Sequence, residues 1–274
     1  MSGNSDHWTG IDELGVVRNR MARLPRSLWG CKHRTDLEHP LFGSDHNSVY
    51  ASDELLPLYR RGAEHADEDE GRRFRRLLRE HLAVYARDPW RARFFDKTHT
   101  NTLRMPLLEA YLREAEPFFV LVVRNPWSWC HRAVRRKPPS YRAAVSPDVQ
   151  LRLVAEHWAN SYGIALADAA RVPNVLTLRF EDFVADPEGT IRALSASLGL
   201  EFEPAQVPGS GQPFPFATLP GDRKWFPLFS ERWLAHVTDR EAEIVERECG
   251  PLARRFGYSA DGVRSEAGPR AALA

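Results

Sequence analysis

Two short stretches of the chain end in residues able to do chemistry. Residues 93–97 close on Lys97, with His99 two positions further, and residues 118–123 run into Arg124-Asn125-Pro126. Histidine takes a proton near neutral pH without special tuning. Lysine is a compact point charge, and arginine is a planar two-pronged donor for phosphate or sulfate. With Lys224, in a loop shortly after Gly221, these residues suit the transfer of an anionic group to a hydroxyl. The base would deprotonate the acceptor while the cations hold donor and leaving group. Each also has a plainer reading: His99 as a structural histidine, Arg124 as the ion-pair partner of Glu181 or Asp182, Lys224 as an exposed loop residue.

Specific elements must place these side chains. Residues 93–97 are short and aromatic, as in a strand, and 103–113 read as a helix entered through Pro106. Residues 118–123 are apolar at every position, which predicts a strand covered on both faces. The spacing is that of a strand–helix–strand unit with a right-handed crossover. Ligands of an open parallel sheet sit outside the carboxyl ends of its strands, so Lys97, His99 and Arg124 are expected to converge on one crevice. Lys97 and His99, two residues apart, are expected on one side.

The remaining pattern supplies the frame. Asp67, Glu68, Asp69 and Glu70 precede Phe74, Leu77, Leu78, Leu82 and Tyr85 at helical spacing, with Arg72, Arg73, Arg75 and Arg76 on a solvated side. That helix should stop near Asp88-Pro89. Residues 147–170 form a second helix whose stripe of Leu151, Val154, Trp158, Tyr162, Leu166 and Ala169 reads as core. Residues 175–180 read as a strand that leaves Glu181 and Asp182 at its end. Asp186-Pro187-Glu188 opens a helix that Gly199 closes. Residues 203–220 have the proline- and glycine-rich composition of a loop or lid, and a last helix is expected over 238–256. The fold class is α/β, a single domain with a parallel β-sheet flanked by helices over residues 61–258. Residues 1–60 carry little readable structure beyond a short candidate strand at 14–17, and 259–274 are expected to be a disordered tail.

Totals narrow the function. The 274 residues are 43% hydrophobic and 27% charged with a net charge of +1, which gives no field for nucleic acid or an anionic membrane. Cys31, Cys130 and Cys249 share no metal-ligand spacing and read as idle thiols of a reducing compartment; no metal is expected. The first residues lack the basic start and apolar core of a leader, and the longest apolar run, 117–123, is too short for a bilayer. A soluble cytoplasmic protein is expected. No internal repeat is visible, and oligomeric state is not written in the sequence.

In combination the segments resemble a known family. DKTHTNTLRMPLL followed by FFVLVVRNPWSWCHR is similar to the sulfotransferase superfamily that uses 3′-phosphoadenylyl sulfate, in which a strand ending Lys-Thr-His leads to a helix and a later strand ends Arg-Asp/Asn-Pro. VLTLRFEDFVADPEGTIRALSASLGL, GDRKWFPLF and CGPLARRFGY resemble the family's later segments, so the likeness covers residues 91–258. The resemblance implies a P-loop-like sulfotransferase with His99 as catalytic base and Lys97 stabilising the transition state. It implies that Arg124 grips the donor's 3′-phosphate and that Lys224 with Arg223 closes over it. The family places a serine where this chain has Arg132, so Arg132 as a cation, or Ser128 one turn earlier, would share that phosphate.

The family's phosphosulfate loop, Pro-Lys/Arg-Ser/Thr-Gly-Thr-Thr, has only Pro25-Arg26-Ser27 as its counterpart, followed by Leu28-Trp29-Gly30. Three accounts stand: a loop rebuilt from Arg26, Ser27, Gly30 and Lys32; an absent first strand; or a protein that no longer binds the donor productively. The first is the reading adopted. The implied acceptor is a hydroxyl of a small molecule or carbohydrate, for which Trp127, Trp129, Trp225 and Phe226 are candidate ring contacts, although tryptophans are more often packing. The competing functions are a catalytically inactive nucleotide-binding or regulatory relative and a kinase. Against the kinase stands the lack of a Gly-x-x-x-x-Gly-Lys-Ser/Thr loop.

Overall fold

A computed structural model describes residues 8–11, 37, 39–41, 48–86, 88–135, 145–207 and 234–260. The candidate strand at 14–17, the loop at 208–220 and the expected tail lie outside them. Four parallel strands are present among the described residues. Strand β1 (Trp8–Ile11) pairs with β2 (Arg93–Asp96), and β3 (Phe119–Val123) pairs with β4 (Val175–Arg179) from Phe119 opposite Val175 to Val123 opposite Arg179. The fold is α/β, with parallel strands flanked by helices.

Two expectations need correction. The strands of the strand–helix–strand unit are not hydrogen-bonded to each other: β2 takes its partner from the N-terminal residues and β3 from β4. Spacing fixes a crossover's length and leaves open which edges pair. Nor is β3 covered on both faces among the described residues, since Leu121 and Val123 are buried while Val122 is 42% exposed.

Residues 1–60 also hold more than was legible. Besides β1, a turn at 48–55 leads into the short helix α1 (Leu56–Tyr59). Tyr50, Ala51, Leu55 and Tyr59 are buried there with Leu103.

Helix α2 (Glu68–Tyr85) begins where its acids predict. The Asp67 side chain accepts from the Glu70 N–H, and three acids fill the first turn. Its apolar face, Phe74 and Leu78, packs on Leu107, Leu108 and Tyr111 of α3 (Met105–Leu112). Arg72 and Arg76 pair with acids on the outside, while Arg75 donates to the Tyr111 carbonyl at 2.8 Å.

Helix α4 (Pro126–Arg135) follows β3 directly. The long helix α5 (Pro147–Ala169) is capped by Ser146, and Leu151, Val154 and Trp158 of the predicted stripe are buried, with Tyr162, Leu166 and Ala169 packed beside them. Helix α6 (Phe180–Ala185) continues from β4, and α7 (Pro187–Ser197) is capped by Asp186 and ends before Gly199, whose φ of 62° is the left-handed value glycine permits. Helix α8 (Asp239–Arg255) opens with a Thr238–Glu241 capping box and packs on α4 and α5. The core therefore lies between α4, α5, α8 and the buried side of β3.

Candidate active site

At the end of β2 the chain stays extended through Thr98 (φ −107°, ψ 122°) and then tightens into a 3₁₀ turn over His99–Leu103. Exposure alternates across the junction: Lys97 and His99 are exposed, Thr98 and Thr100 buried. The turn is held by the Asp96 carboxylate. Its two oxygens accept from Thr98 Oγ1 and from Asn101 Nδ2, each at 2.7 Å. The carbonyl of His99 accepts from Thr102 Oγ1 at 3.0 Å and from the Tyr50 hydroxyl at 2.9 Å. Backbone and neighbours are thus fixed, while the His99 ring stands on the outside.

At the end of β3 the construction differs. Val123 points to the core and Arg124 to the opposite side, because residues alternate along a strand. The Arg124 guanidinium lies over the Phe180 ring, 3.8 Å from the centroid. This cation–ring contact fixes the plane of the guanidinium. The Asn125 side chain accepts from the N–H groups of Trp127 (3.0 Å) and Ser128 (3.3 Å), which caps α4. The signal was present in the sequence as Asn125 before Pro126, a cap residue and a first-turn proline. Ser128 is buried, and its hydroxyl donates to the Asn125 carbonyl at 3.3 Å; Arg132, one turn on, is half-buried.

Glu181 ties this turn down. One oxygen accepts from the Asn125 N–H at 3.1 Å and the other from the Tyr258 hydroxyl at 2.5 Å; that hydroxyl also lies 3.2 Å from the Val123 carbonyl. Burial, and then the adjacent Glu181 charge, push the Tyr258 phenol well above its ordinary range. Arg179 covers the Tyr258 ring at 4.5 Å. Burial likewise pushes the Tyr162 phenol up to about 12, and its hydroxyl donates to the Val122 carbonyl at 2.9 Å. Neither tyrosine is a proton carrier near neutral pH.

The face of α4 away from Arg124 is pinned by charge. His131 is buried, with Nδ1 3.0 Å from Glu241 Oε2, and Arg135 donates to Glu241 Oε1 at 2.9 Å. Burial lowers the His131 pKa against the pull of Glu241. Burial would raise the Glu241 carboxyl, but the Thr238 backbone N–H and Arg135 hold it below its ordinary value. Cys130 and Cys249 are fully buried; Cys249 donates to the Ala155 carbonyl at 3.2 Å, and burial pushes the Cys130 thiol up.

Of the aromatic candidates, Trp127 is wholly buried and donates to the Ala242 carbonyl at 3.3 Å, so it is packing. Trp129 stacks on His157 at 5.6 Å. Arg26, Ser27, Gly30, Lys32, Arg223, Lys224, Trp225 and Phe226 lie outside the described residues. The sequence reading missed Asp96, Tyr50 and the capping role of Asn125, and it offered Glu181 as an ion-pair partner of Arg124 and not as the acceptor that ties down the Asn125 turn. Among the described residues no group of three or more His, Cys, Asp and Glu is placed to hold a metal ion, and no helix is long and apolar enough to cross a membrane.

The model of the Sulfotransferase family matches residues 25–204. Among solved structures the chain is similar to a "Sulfotransferase Domain from the Curacin Biosynthetic Pathway", with 18% identity over 93% of this chain and 90% of that one and a TM-score of 0.47. No curated protein matches.

Proposed function

The chain belongs to the sulfotransferase family, and on that premise we propose that it moves a sulfuryl group from 3′-phosphoadenylyl sulfate to a hydroxyl of a small molecule or carbohydrate. The donor supplies an activated sulfuryl group whose bond to the phosphate breaks as the acceptor oxygen bonds to sulfur. His99 removes the acceptor proton, and Lys97 faces the charge that develops beside it. Arg124 holds the 3′-phosphate with Arg132 and Ser128, and Arg223 and Lys224 close over it. Arg26 and Ser27 hold the phosphosulfate end.

The observation that carries this reading is the pairing of exposed Lys97 and His99 at one strand end with a ring-backed arginine at another, inside the span matched by the family. An anion at Arg124 would meet a guanidinium whose plane is set by the Phe180 face.

A second reading is favoured by one feature: residues 25–30 lack the Gly-Thr-Thr of the phosphosulfate loop. It makes the protein an inactive relative that binds nucleotide. Two measurements separate the readings, calorimetry with 3′,5′-adenosine diphosphate and sulfuryl transfer from the full donor to a panel of hydroxyl acceptors. Binding with turnover supports the enzyme, and binding without turnover on any acceptor supports the inactive relative.

A further inference from the structure

Helix α5 reaches both halves of the site from two neighbouring residues. His157 is buried; its Nδ1 accepts from the Ala51 N–H at 3.0 Å, and its ring meets the Tyr50 ring edge-on at 4.4 Å. Tyr50 in turn donates to the His99 carbonyl. Glu156 and Asn160 fasten the same short segment: Glu156 accepts from the Asp53 N–H at 2.7 Å, and Asn160 donates to the Ala51 carbonyl at 2.8 Å. The next residue, Trp158, is also buried, and its Nε1–H donates to the Arg124 carbonyl at 3.1 Å.

The strands carrying the two halves belong to different ladders, so among the described residues no strand-to-strand hydrogen bond sets their separation. A rigid helix touching both supplies such a constraint, because consecutive residues on one helix cannot move independently. We infer that His157 and Trp158 are a positioning pair, in which His157 seats the His99 turn through Tyr50 and Trp158 seats the Arg124 strand end, so that one turn of α5 sets the spacing between base and donor grip. Neither residue touches the reacting atoms. The inference rests on the proposed sulfuryl transfer for its catalytic consequence.

The test is a double dissociation. Tyr50→Phe keeps both rings and removes the hydroxyl. It should lower kcat by about fivefold, the loss expected for one hydrogen bond, and leave the Kd for 3′,5′-adenosine diphosphate unchanged. Trp158→Phe keeps an aromatic filler and removes the N–H; it should weaken that Kd by about fivefold. His157→Phe should behave as Tyr50→Phe, and His157→Asn, whose side-chain oxygen stands in for Nδ1, should recover most of the loss.

Hydrogen exchange on the full chain without ligand supplies the structural readout. Tyr50→Phe should speed exchange over 98–104 and spare 122–128, and Trp158→Phe should do the reverse. If both variants loosen both segments, or neither segment, the positioning pair is overturned. If wild-type protein neither binds the diphosphate nor transfers sulfuryl groups, the proposed function falls, and the exchange pattern still decides the pairing.

Discussion

The ends of β2 and β3 are two solutions to holding a charged side chain. At β2 the hydrogen bonds described fall on backbone and neighbours, with Asp96 on Thr98 and Asn101 and Tyr50 on the His99 carbonyl, and His99 itself is exposed. At β3 the guanidinium itself is seated on Phe180, and the turn behind it is locked by Asn125, Glu181 and Tyr258. A group that must receive and release protons benefits from exchange with solvent. A group that must orient an anion benefits from a fixed plane and a low local dielectric. The contrast therefore predicts that damage at the first end shows in turnover, and damage at the second in affinity and stability.

His99→Ala probes the contrast with the largest effect. Turnover should fall by about a hundredfold or more, as for loss of a general base, with the Kd for 3′,5′-adenosine diphosphate within about twofold of wild type. Full activity in that variant would remove His99 from the mechanism. Arg124→Ala should act the other way, losing about 2 kcal/mol of nucleotide binding, roughly thirtyfold in Kd by calorimetry. An unchanged Kd would show that the ring-backed arginine holds no phosphate. Tyr258→Phe leaves the guanidinium in place but strips the lock behind it. Urea unfolding should show a loss of about 1 kcal/mol, since a half-buried carboxylate oxygen loses its donor; a loss below about 0.3 kcal/mol would mean that Glu181 does not depend on it.

The smallest effect concerns pH, and we take it at the buried side of α4. The folded His131 pKa lies below its ordinary 6.5, so the unfolded chain binds the extra proton first. Its contribution to stability is full above 6.5 and is lost as pH falls toward the folded value. The Glu241 carboxyl, below its ordinary 4.5, adds a loss of the same sign that begins lower, as pH falls through 4.5 and toward its folded value. Thermal midpoints should thus decline from pH 7 to pH 4, and His131→Asn should flatten the upper part of that decline. A midpoint unaffected by pH in that range would mean that these groups do not couple to folding.

The parts of the molecule that the sequence made legible are those with local signals. Helix α2 announced itself through acids ahead of a periodic apolar face, α7 through Asp186-Pro187, and the strand ends through polar residues after apolar runs. What stayed hidden depends on partners far away in the chain. Tyr50 matters because it meets His99 and His157, and nothing within residues 48–55 signals either contact. β1 contains Gly10 and no alternation, so its pairing with β2 had no local trace. The cap at Asn125 does have a local signal, a cap residue followed by a first-turn proline. Lys97, His99, Arg124, Ser128 and Arg132 were singled out by the family resemblance, on motifs that are local in the sequence.

The bond from the Ala51 N–H to His157 Nδ1 spans 106 positions of sequence, and this bears on how the protein is made. A nascent chain cannot seat residues 48–59 until α5 has left the ribosome. At ordinary elongation rates of about 5–20 residues per second, that interval is on the order of ten seconds. During it Tyr50, Leu55 and Tyr59, buried in the finished fold, have no α5 to pack against. Synthesis therefore passes through a stage in which the segment that later steadies the His99 turn is exposed and sticky, and chaperone dependence should centre on that interval.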